Sequence, residues 1–83
     1  MAASGEGTGA GDVVDARGLL CPLPVIRLVE RARQAPAGAA LVLLADDPQA
    51  EEDVRLWCRG AGHELVSVAV EGDFIRIKVQ LAY

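Results

Sequence analysis

The chain has 83 residues, a formal net charge of −4, 52% hydrophobic residues and one residue each of Trp, Tyr and Phe. A chain of this length buries only about 60% of the surface that its unfolded state exposes, so we expect a thin core and chemistry at the surface rather than in a deep pocket. Phosphate contacts need clustered Lys and Arg and a membrane span needs roughly 20 apolar residues in a row, so we predict no direct nucleic-acid partner and no membrane partner.

The first residues differ in composition from the rest. Residues 1–11 are small, polar and glycine-rich, and we predict a disordered tail followed by a single domain over residues 12–83. The tail lacks the basic residues and the apolar stretch of a signal peptide, so the expected location is the cytoplasm. In a reducing compartment Cys21 and Cys58 are expected to be free thiols. They lack the spacing of a zinc site and His63 is the single histidine, so we predict no metal and no cofactor.

The first predicted elements are a strand and a helix. The β-branched run DVVDAR predicts a strand that ends at Gly18. Pro22 and Pro24 fit only the first turn of the helix that follows, where a missing N–H costs nothing. This places Cys21 at or beside the N-cap, and the helix is expected to end before Pro36. The residues at helical spacing that predict its apolar face are Val25, Ile26, Val29 and Ala32.

A second strand and a second helix follow. AALVLLAD is a nearly continuous apolar run, which is typical of a central strand covered by helices. DDPQAEEDVRLWCRGAG predicts a helix capped by Asp47, with Pro48 in its first position and Gly60 or Gly62 at its end. Its predicted apolar stripe comprises Ala50, Val54, Trp57, Cys58 and Ala61.

The last segment predicts a β-hairpin. Val66, Val68 and Val70 alternate in ELVSVAVE, and Gly72-Asp73 supplies the turn. The alternating apolar residues of the second strand are Ile75, Ile77, Val79 and Leu81. In the resulting β-α-β-α-β-β order, the strand–helix–strand units favour parallel crossovers and the hairpin adds an antiparallel pair. We therefore predict an α/β (α+β) fold, a two-layer α/β sandwich whose four-stranded mixed sheet carries two helices on one face.

The motif RGLLCPLPVIRL presents a thiol at the start of the first helix. A helix N-terminus has unpaired N–H groups and about half a positive charge, which can lower the pKa of a thiol placed there. Arg17 could add positive charge, and Pro22 and Pro24 would hold the sulfur in one place. Most free cysteines are buried, but this position faces a strand end, so we predict an accessible, nucleophilic Cys21. Cys58 is predicted to be buried, with a role as resolving thiol as its alternative.

Residues around the motif suit contact with a protein. Leu19 and Leu20 would give the loop an apolar surface. Arg27 and Arg31 share a helix face one turn below the thiol, which is either solvated or docks an acidic partner.

Three polar features are explained more simply by a structural role than by a catalytic one. Asp15 and Arg17 alternate along the first strand and could form an exposed ion pair of little energy. His63 could act as a general base only if it reached Cys21, and a histidine in a turn is more often solvated or capping. The carboxylates of ADDP are explained as helix capping. A nucleophile without a base, pocket or cofactor suggests a carrier that accepts a group from one protein and passes it to another.

Three segments of the chain resemble those of a known family. DARGLLCPLPVIRL, LVLLADDP and WCRGAGHEL, in this order and spacing, are similar to the TusA/SirA sulfur-carrier proteins, whose signature is Cys-Pro-x-Pro at the start of the first helix. The resemblance covers nearly the whole predicted domain and implies the same two-layer sandwich, with Cys21 carrying a persulfide. The other residues that match the motif and its approach are Pro22, Pro24, Asp15, Arg17 and Gly18.

The resemblance also implies partners. The family accepts sulfane sulfur from a cysteine desulfurase or a rhodanese and passes it to an acceptor protein, in tRNA thiolation, molybdenum-cofactor biosynthesis or sulfur oxidation. Such a protein is a sulfur carrier rather than a turnover enzyme with its own substrate pocket. Leu20 and Leu23 are apolar where other members can carry charged residues, so we expect them to bear on partner choice. Two alternatives remain, a redox module that signals by oxidation of Cys21 and an interaction domain that does not need the thiol.

Overall fold

The computed structural model describes residues 12–83. The predicted tail, residues 1–11, lies outside the described residues, so the tail and its boundary with the domain stay predictions. The helices and strands follow in the predicted order: β1 (Asp12–Asp15), α1 (Leu23–Gln34), β2 (Ala40–Ala45), α2 (Ala50–Ala61), β3 (Glu64–Glu71) and β4 (Phe74–Gln80).

The four strands form one mixed sheet in the order β1-β2-β4-β3. β1 runs parallel to β2, and β4 is antiparallel to both of its neighbours. The central pair joins β2 to β4 in a register that runs from Ala40 opposite Gln80 to Ala45 opposite Ile75. The predicted fold class, a four-stranded mixed sheet with two helices, is confirmed.

One apolar core lies between the sheet and the two helices. Leu28 of α1 and Val54 of α2 are fully buried, and they belong to the same cluster as the inward-facing strand residues Leu41, Leu43, Ile77 and Val79. Within residues 12–83 no polar or charged side chain is buried. The two layers are therefore held together mainly by burial of apolar surface, and the charged groups remain near solvent.

The buried face of α1 differs from the predicted one. Its fully covered residues are Pro24 and Leu28, whereas Ile26 keeps 42% of its surface exposed. Val25 and Ala32 pack at the margin of the core. With 3.6 residues per turn, Pro24 and Leu28 lie one above the other, and Ile26 lies on the opposite side of the helix. The prediction was wrong at Ile26, because the buried face of the helix is the one that carries Pro24 and Leu28, which the predicted stripe left out.

The start of α2 also differs. Its N-cap is Gln49 and no side chain caps it, so the predicted cap by Asp47 and first position of Pro48 are wrong. Asp47 Oδ1 accepts the Gln49 N–H at 2.8 Å, and the Asp47 carbonyl accepts the Ala50 N–H at 3.0 Å. These bonds make a turn ahead of the helix. The end is as predicted at Gly62, which adopts φ +84.

The valines of β3 do not all share its inner face. A register shift between Leu65 and Ser67 brings Leu65 opposite Val79, so Leu65 and Val68 pack against the core. Val66 is 46% exposed at this bulge, and Val70 is 77% exposed. An extra residue in one strand of a pair changes which side chains face inward, and no alternation rule predicts where that residue falls.

The fold brings two loops together at one end of the sheet. β1 and β2 are parallel, so their carboxyl ends lie at the same edge. The loop 16–22 leads from β1 into α1, and the loop 46–49 leads from β2 into α2. Neither of the two described helices is long and apolar enough to cross a membrane.

Candidate functional site

Cys21 lies at the end of the loop 16–22, directly before α1. The residue is exposed to solvent. Pro22 is the N-cap of α1, and Pro24 lies buried in its first turn. The Cys21–Pro22 peptide bond is cis. The thiol therefore occupies the accessible position in front of the helix that the sequence predicts.

Carboxylates from the neighbouring loop hold the Cys21 loop in place. The Gly18 N–H donates to both carboxylate oxygens of Asp46 at 3.0 Å. The Cys21 N–H donates to Asp47 Oδ2 at 2.8 Å. Gly18 has φ +85, a conformation that residues with a side chain rarely adopt. The position of the thiol is thus fixed by residues more than 25 positions away in the chain.

A third carboxylate contacts the sulfur itself. The Cys21 thiol donates a hydrogen bond to Asp53 Oδ2, with 2.9 Å between sulfur and oxygen. Asp53 belongs to the acidic first turn of α2, together with Glu51 and Glu52. A thiol that donates to a carboxylate loses that bond when it ionises, and the resulting anions repel each other.

The pKa of Cys21 is raised rather than lowered. The hydrogen bond to Asp53 is the largest cause, followed by partial burial and by the charges of Asp53 and Asp47, and together they raise the pKa from 9.0 to about 11. The positive end of α1 could have lowered this pKa, but the acidic start of α2 faces the same sulfur and the shift is upwards.

Arg17 does not supply the positive charge expected at the thiol. Its Nε and Nη2 donate to Asp15 Oδ1 and Oδ2 at 2.9 and 2.8 Å, which is the ion pair that the sequence offered as one possibility. Its Cζ lies 4.9 Å from the centroid of the Phe74 ring. Side-chain and backbone hydrogen bonds from Arg17 hold the pKa of Asp15 at about 2. The guanidinium is committed to Asp15 and Phe74.

All but one of the side chains predicted to contact partners lie at the surface. Leu20 is 72% exposed and Leu23 is 42% exposed. The prediction was wrong for Leu19, which packs against the core. Arg31 forms an ion pair with Asp12 at 3.1 Å. Arg27 is exposed and lines the same shallow depression as Arg31, beside β1. Docking by these side chains stays a prediction.

The second cysteine and the histidine lie apart from the exposed thiol. Cys58 is 3% exposed within the core, which confirms the expectation that it is buried, and burial raises its pKa. His63 follows the far end of α2, whose 12 residues span about 18 Å. Its Nδ1 accepts the Ala82 N–H at 3.0 Å, and its ring lies 4.8 Å from those of Trp57 and Tyr83. His63 therefore has a structural role there and does not serve the thiol as a base.

Asp46, Asp47 and Asp53 are the residues that the sequence interpretation did not connect with Cys21. For the first two a sequence signal existed, because ADDP follows a strand parallel to the one that precedes the motif, and such strand ends meet at one edge. Asp53 gave no such signal, since an acidic residue in a first helical turn is common. Within residues 12–83 no group of three His, Cys, Asp or Glu side chains could hold a metal ion.

The chain was compared with known proteins. The model of the family described as sulfurtransferase TusA matches residues 12–81. The sulfur carrier protein TusA of Pseudomonas savastanoi pv. phaseolicola is 44% identical over 64 residues, which cover 76% of each chain. Its namesake in Pseudomonas syringae pv. syringae is 44% identical over 63 residues, 75% of each chain.

A solved structure shows the same fold. The crystal structure of the SirA-like protein from Desulfitobacterium hafniense superposes with a TM-score of 0.75 at 23% sequence identity, covering 87% of this chain and 99% of that one. The family match spans nearly all of the described residues, including both loops that surround the thiol. The chain therefore belongs to the TusA sulfurtransferase family.

Proposed function

We propose that this protein is a sulfur carrier that receives sulfane sulfur as a persulfide on Cys21 and passes it to an acceptor protein. The observation that carries the proposal is the exposed Cys21 thiol in front of α1, in a chain whose relatives are named sulfur carrier proteins. A thiol at the surface can be reached by a donor protein and then by an acceptor, which a carrier requires.

The transfer needs no cofactor or external oxidant. The Cys21 sulfur attacks the outer sulfur of a persulfide on the donor cysteine, so that one S–S bond forms and the donor's S–S bond breaks. The donor cysteine leaves as a thiolate and takes up the proton that Cys21 gives up. Delivery repeats the exchange, with an acceptor thiolate attacking the outer sulfur on Cys21.

The surroundings of the thiol favour a protein as the donor. The loop presents Leu20 and the start of α1 presents Leu23, both exposed, and exposed apolar side chains beside a reactive group suit contact with a partner. We propose a cysteine desulfurase or a rhodanese as donor. The acceptor would belong to a sulfur relay that serves tRNA thiolation, molybdenum-cofactor biosynthesis or sulfur oxidation.

The proposal is tested by loading the protein with sulfur. After incubation with a cysteine desulfurase and cysteine, intact-mass spectrometry is expected to show the addition of one sulfur atom that a reductant removes. Cys21→Ser should abolish the addition, and Cys58→Ser should leave it unchanged because Cys58 is buried. Sulfur found on Cys58 alone, or not at all, would contradict the proposal.

The alternative of a redox module fits the site less well. Redox-sensing cysteines have a low pKa and often a resolving cysteine nearby, whereas the pKa of Cys21 is raised to about 11 and Cys58 is buried. Treatment with hydrogen peroxide distinguishes the two. A redox module would form a Cys21–Cys58 disulfide or a stable sulfenic acid on Cys21, whereas a carrier should remain largely reduced under the same conditions.

A further inference from the structure

The contact between Cys21 and Asp53 is unexpected in a protein whose thiol must react. The sulfur is exposed, yet the thiol donates a hydrogen bond to Asp53 Oδ2, with 2.9 Å between sulfur and oxygen. A second carboxylate, that of Asp47, lies at 2.8 Å from the Cys21 backbone nitrogen. Both carboxylates favour the protonated thiol, which is the unreactive form because the thiolate is the nucleophile.

We propose that Asp53 is a positioning residue that holds Cys21 as a protonated, hydrogen-bonded thiol until a donor protein brings a cationic side chain to the carboxylates beside it. This inference rests on the proposed function, because it specifies how that same thiol is kept inactive and what chemistry its partner must present.

The resting state follows from the contact. With its pKa raised from 9.0 to about 11, the ionised fraction of Cys21 at pH 7 is about 100-fold below that of an unperturbed thiol. Small electrophiles and oxidants therefore meet an exposed but protonated sulfur. The restraint protects an empty carrier from side reactions without covering the thiol.

Release requires a cation that the described part of the chain does not provide. Arg17 is bound to Asp15, and Arg55, on the same helix as Asp53, is bound to Glu51. A Lys or Arg of a docked donor that pairs with Asp53 would draw the carboxylate away from the sulfur and favour the thiolate. The acidic surroundings also attract a cationic surface during encounter. The partner is thus expected to present a basic group beside its persulfide.

Asp53 can be altered without loosening the loop. Asp46 and Asp47 bind backbone N–H groups of the loop, so changing them would displace the thiol. Within residues 12–83, the bond from the Cys21 thiol is the only hydrogen bond that the Asp53 side chain makes. Asp53→Asn is nearly isosteric and removes the charge. Glu52→Gln is a matched control, since Glu52 is an exposed carboxylate in the same helical turn.

The first measurement is the rate at which iodoacetamide alkylates Cys21 between pH 6 and about 12, followed by peptide mass spectrometry. Loss of the whole shift would raise the thiolate fraction at pH 8 roughly 100-fold, and the lower nucleophilicity of a less basic thiolate offsets about tenfold of this, which leaves a gain of up to about tenfold. We expect Asp53→Asn to react several-fold faster, with a midpoint below that of the wild type. Equal rates and midpoints in Asp53→Asn, Glu52→Gln and wild type would overturn the proposal.

The second measurement tests the cationic partner with three small disulfides. Cystamine is cationic, 2-hydroxyethyl disulfide is neutral and 5,5′-dithiobis(2-nitrobenzoate) is anionic. Removing the Asp53 charge should accelerate the anionic reagent most and the cationic reagent least, and added salt should narrow the difference. A uniform acceleration of all three would show that a cation gains no advantage from Asp53 and would overturn that part of the proposal.

Sulfur loading separates this proposal from the proposed function. A wild type that is not loaded by a desulfurase, with Asp53→Asn still alkylated faster, would overturn the carrier function and leave the restraint supported. Normal loading of the wild type, with Asp53→Asn alkylated no faster than the wild type, would support the carrier function and overturn the restraint by Asp53. Circular dichroism melts check that each variant is folded, and Asp53→Ser replaces Asp53→Asn if the latter is not.

Discussion

At the scale of single residues, placement alone separates the two cysteines. Cys21 is exposed and bound to a carboxylate, whereas Cys58 is enclosed in the core by the residues around α2. The pKa of each is raised, mainly by the Asp53 hydrogen bond in the first case and by burial in the second. Access therefore distinguishes the two thiols, while neither has the low pKa of a spontaneously reactive cysteine.

The Asp15–Arg17 pair leads to a prediction about acid titration. Arg17 lowers the pKa of Asp15 from 3.8 to about 2 through its side chain and its backbone N–H. Arg17→Gln removes the guanidinium and keeps the backbone bond, so it should raise the pKa of Asp15 part of the way towards 3.8. A folded-state pKa below the unfolded value stabilises the fold above pH 3.8, and this contribution is lost as the pH falls towards 2. Carboxyl NMR titration gives the pKa directly. Arg27→Gln is the control. An unchanged pKa of Asp15 in Arg17→Gln would contradict the conclusion that the Arg17 side chain lowers it.

Local sequence patterns were sufficient to predict the placement of some of these residues and the contacts of none of them with distant residues. The position of Cys21 followed from two prolines that fit only a first helical turn, and the burial of Cys58 followed from helical spacing. The hydrogen bond to Asp53 joins residues 32 positions apart, and it depends on how two helices meet at one edge of the sheet. The sign of the Cys21 pKa shift could not be predicted for this reason, because spacing along the chain does not show which charges will face a sulfur.

At the scale of elements, α2 ends more regularly than it begins. Both Gly62 and His63 donate their N–H groups to the Cys58 carbonyl at 2.9 Å, and Gly62 has φ +84. The beginning lacks a side-chain cap. Asp47, the expected cap, lies two positions before the N-cap Gln49, and its two carboxylate oxygens accept the Cys21 and Gln49 N–H groups. One carboxylate thus joins the loop that carries the thiol to the turn ahead of α2.

The two glycines near the end of α2 should respond to alanine with opposite signs. Gly62→Ala places a side chain in a left-handed conformation and is expected to lower the free energy of unfolding by about 1 kcal/mol. Gly60 lies within the helix, and open space surrounds the position of an added Cβ. Gly60→Ala should therefore raise it by up to about 1 kcal/mol. Urea unfolding followed by circular dichroism measures both, and the same sign for the two would contradict the helix end described here.

At the scale of the whole molecule, the thin core depends on its central strands. Leu43 of β2 is fully buried opposite Ile77 of β4, and the helices cover this pair from one side. The sequence predicted this arrangement because a continuous apolar run is typical of a covered central strand, whereas an alternating run indicates a strand with one open face. It did not predict the bulge in β3, where a single extra residue turns Val66 outward.

A pair of leucine substitutions measures that dependence. Leu43→Ala is expected to lower the free energy of unfolding by about 2–5 kcal/mol, through lost apolar contact and the cavity left behind. Leu20→Ala removes the same atoms from a side chain that is 72% exposed and should change stability by less than about 0.5 kcal/mol. Chemical denaturation provides both values, and a comparable loss for the two variants would contradict the placement of Leu43 in the core.

The strand order has a consequence for the protein while it is being made. β4 follows every other described element in the chain, yet it occupies the middle of the sheet. A ribosome must therefore release residues up to about Gln80 before β2 acquires its antiparallel partner. Until then the cluster that encloses Cys58 lacks Ile77, Val79 and Leu81. The enclosure that sets the buried Cys58 apart from the exposed Cys21 is complete only when the last strand has joined the sheet.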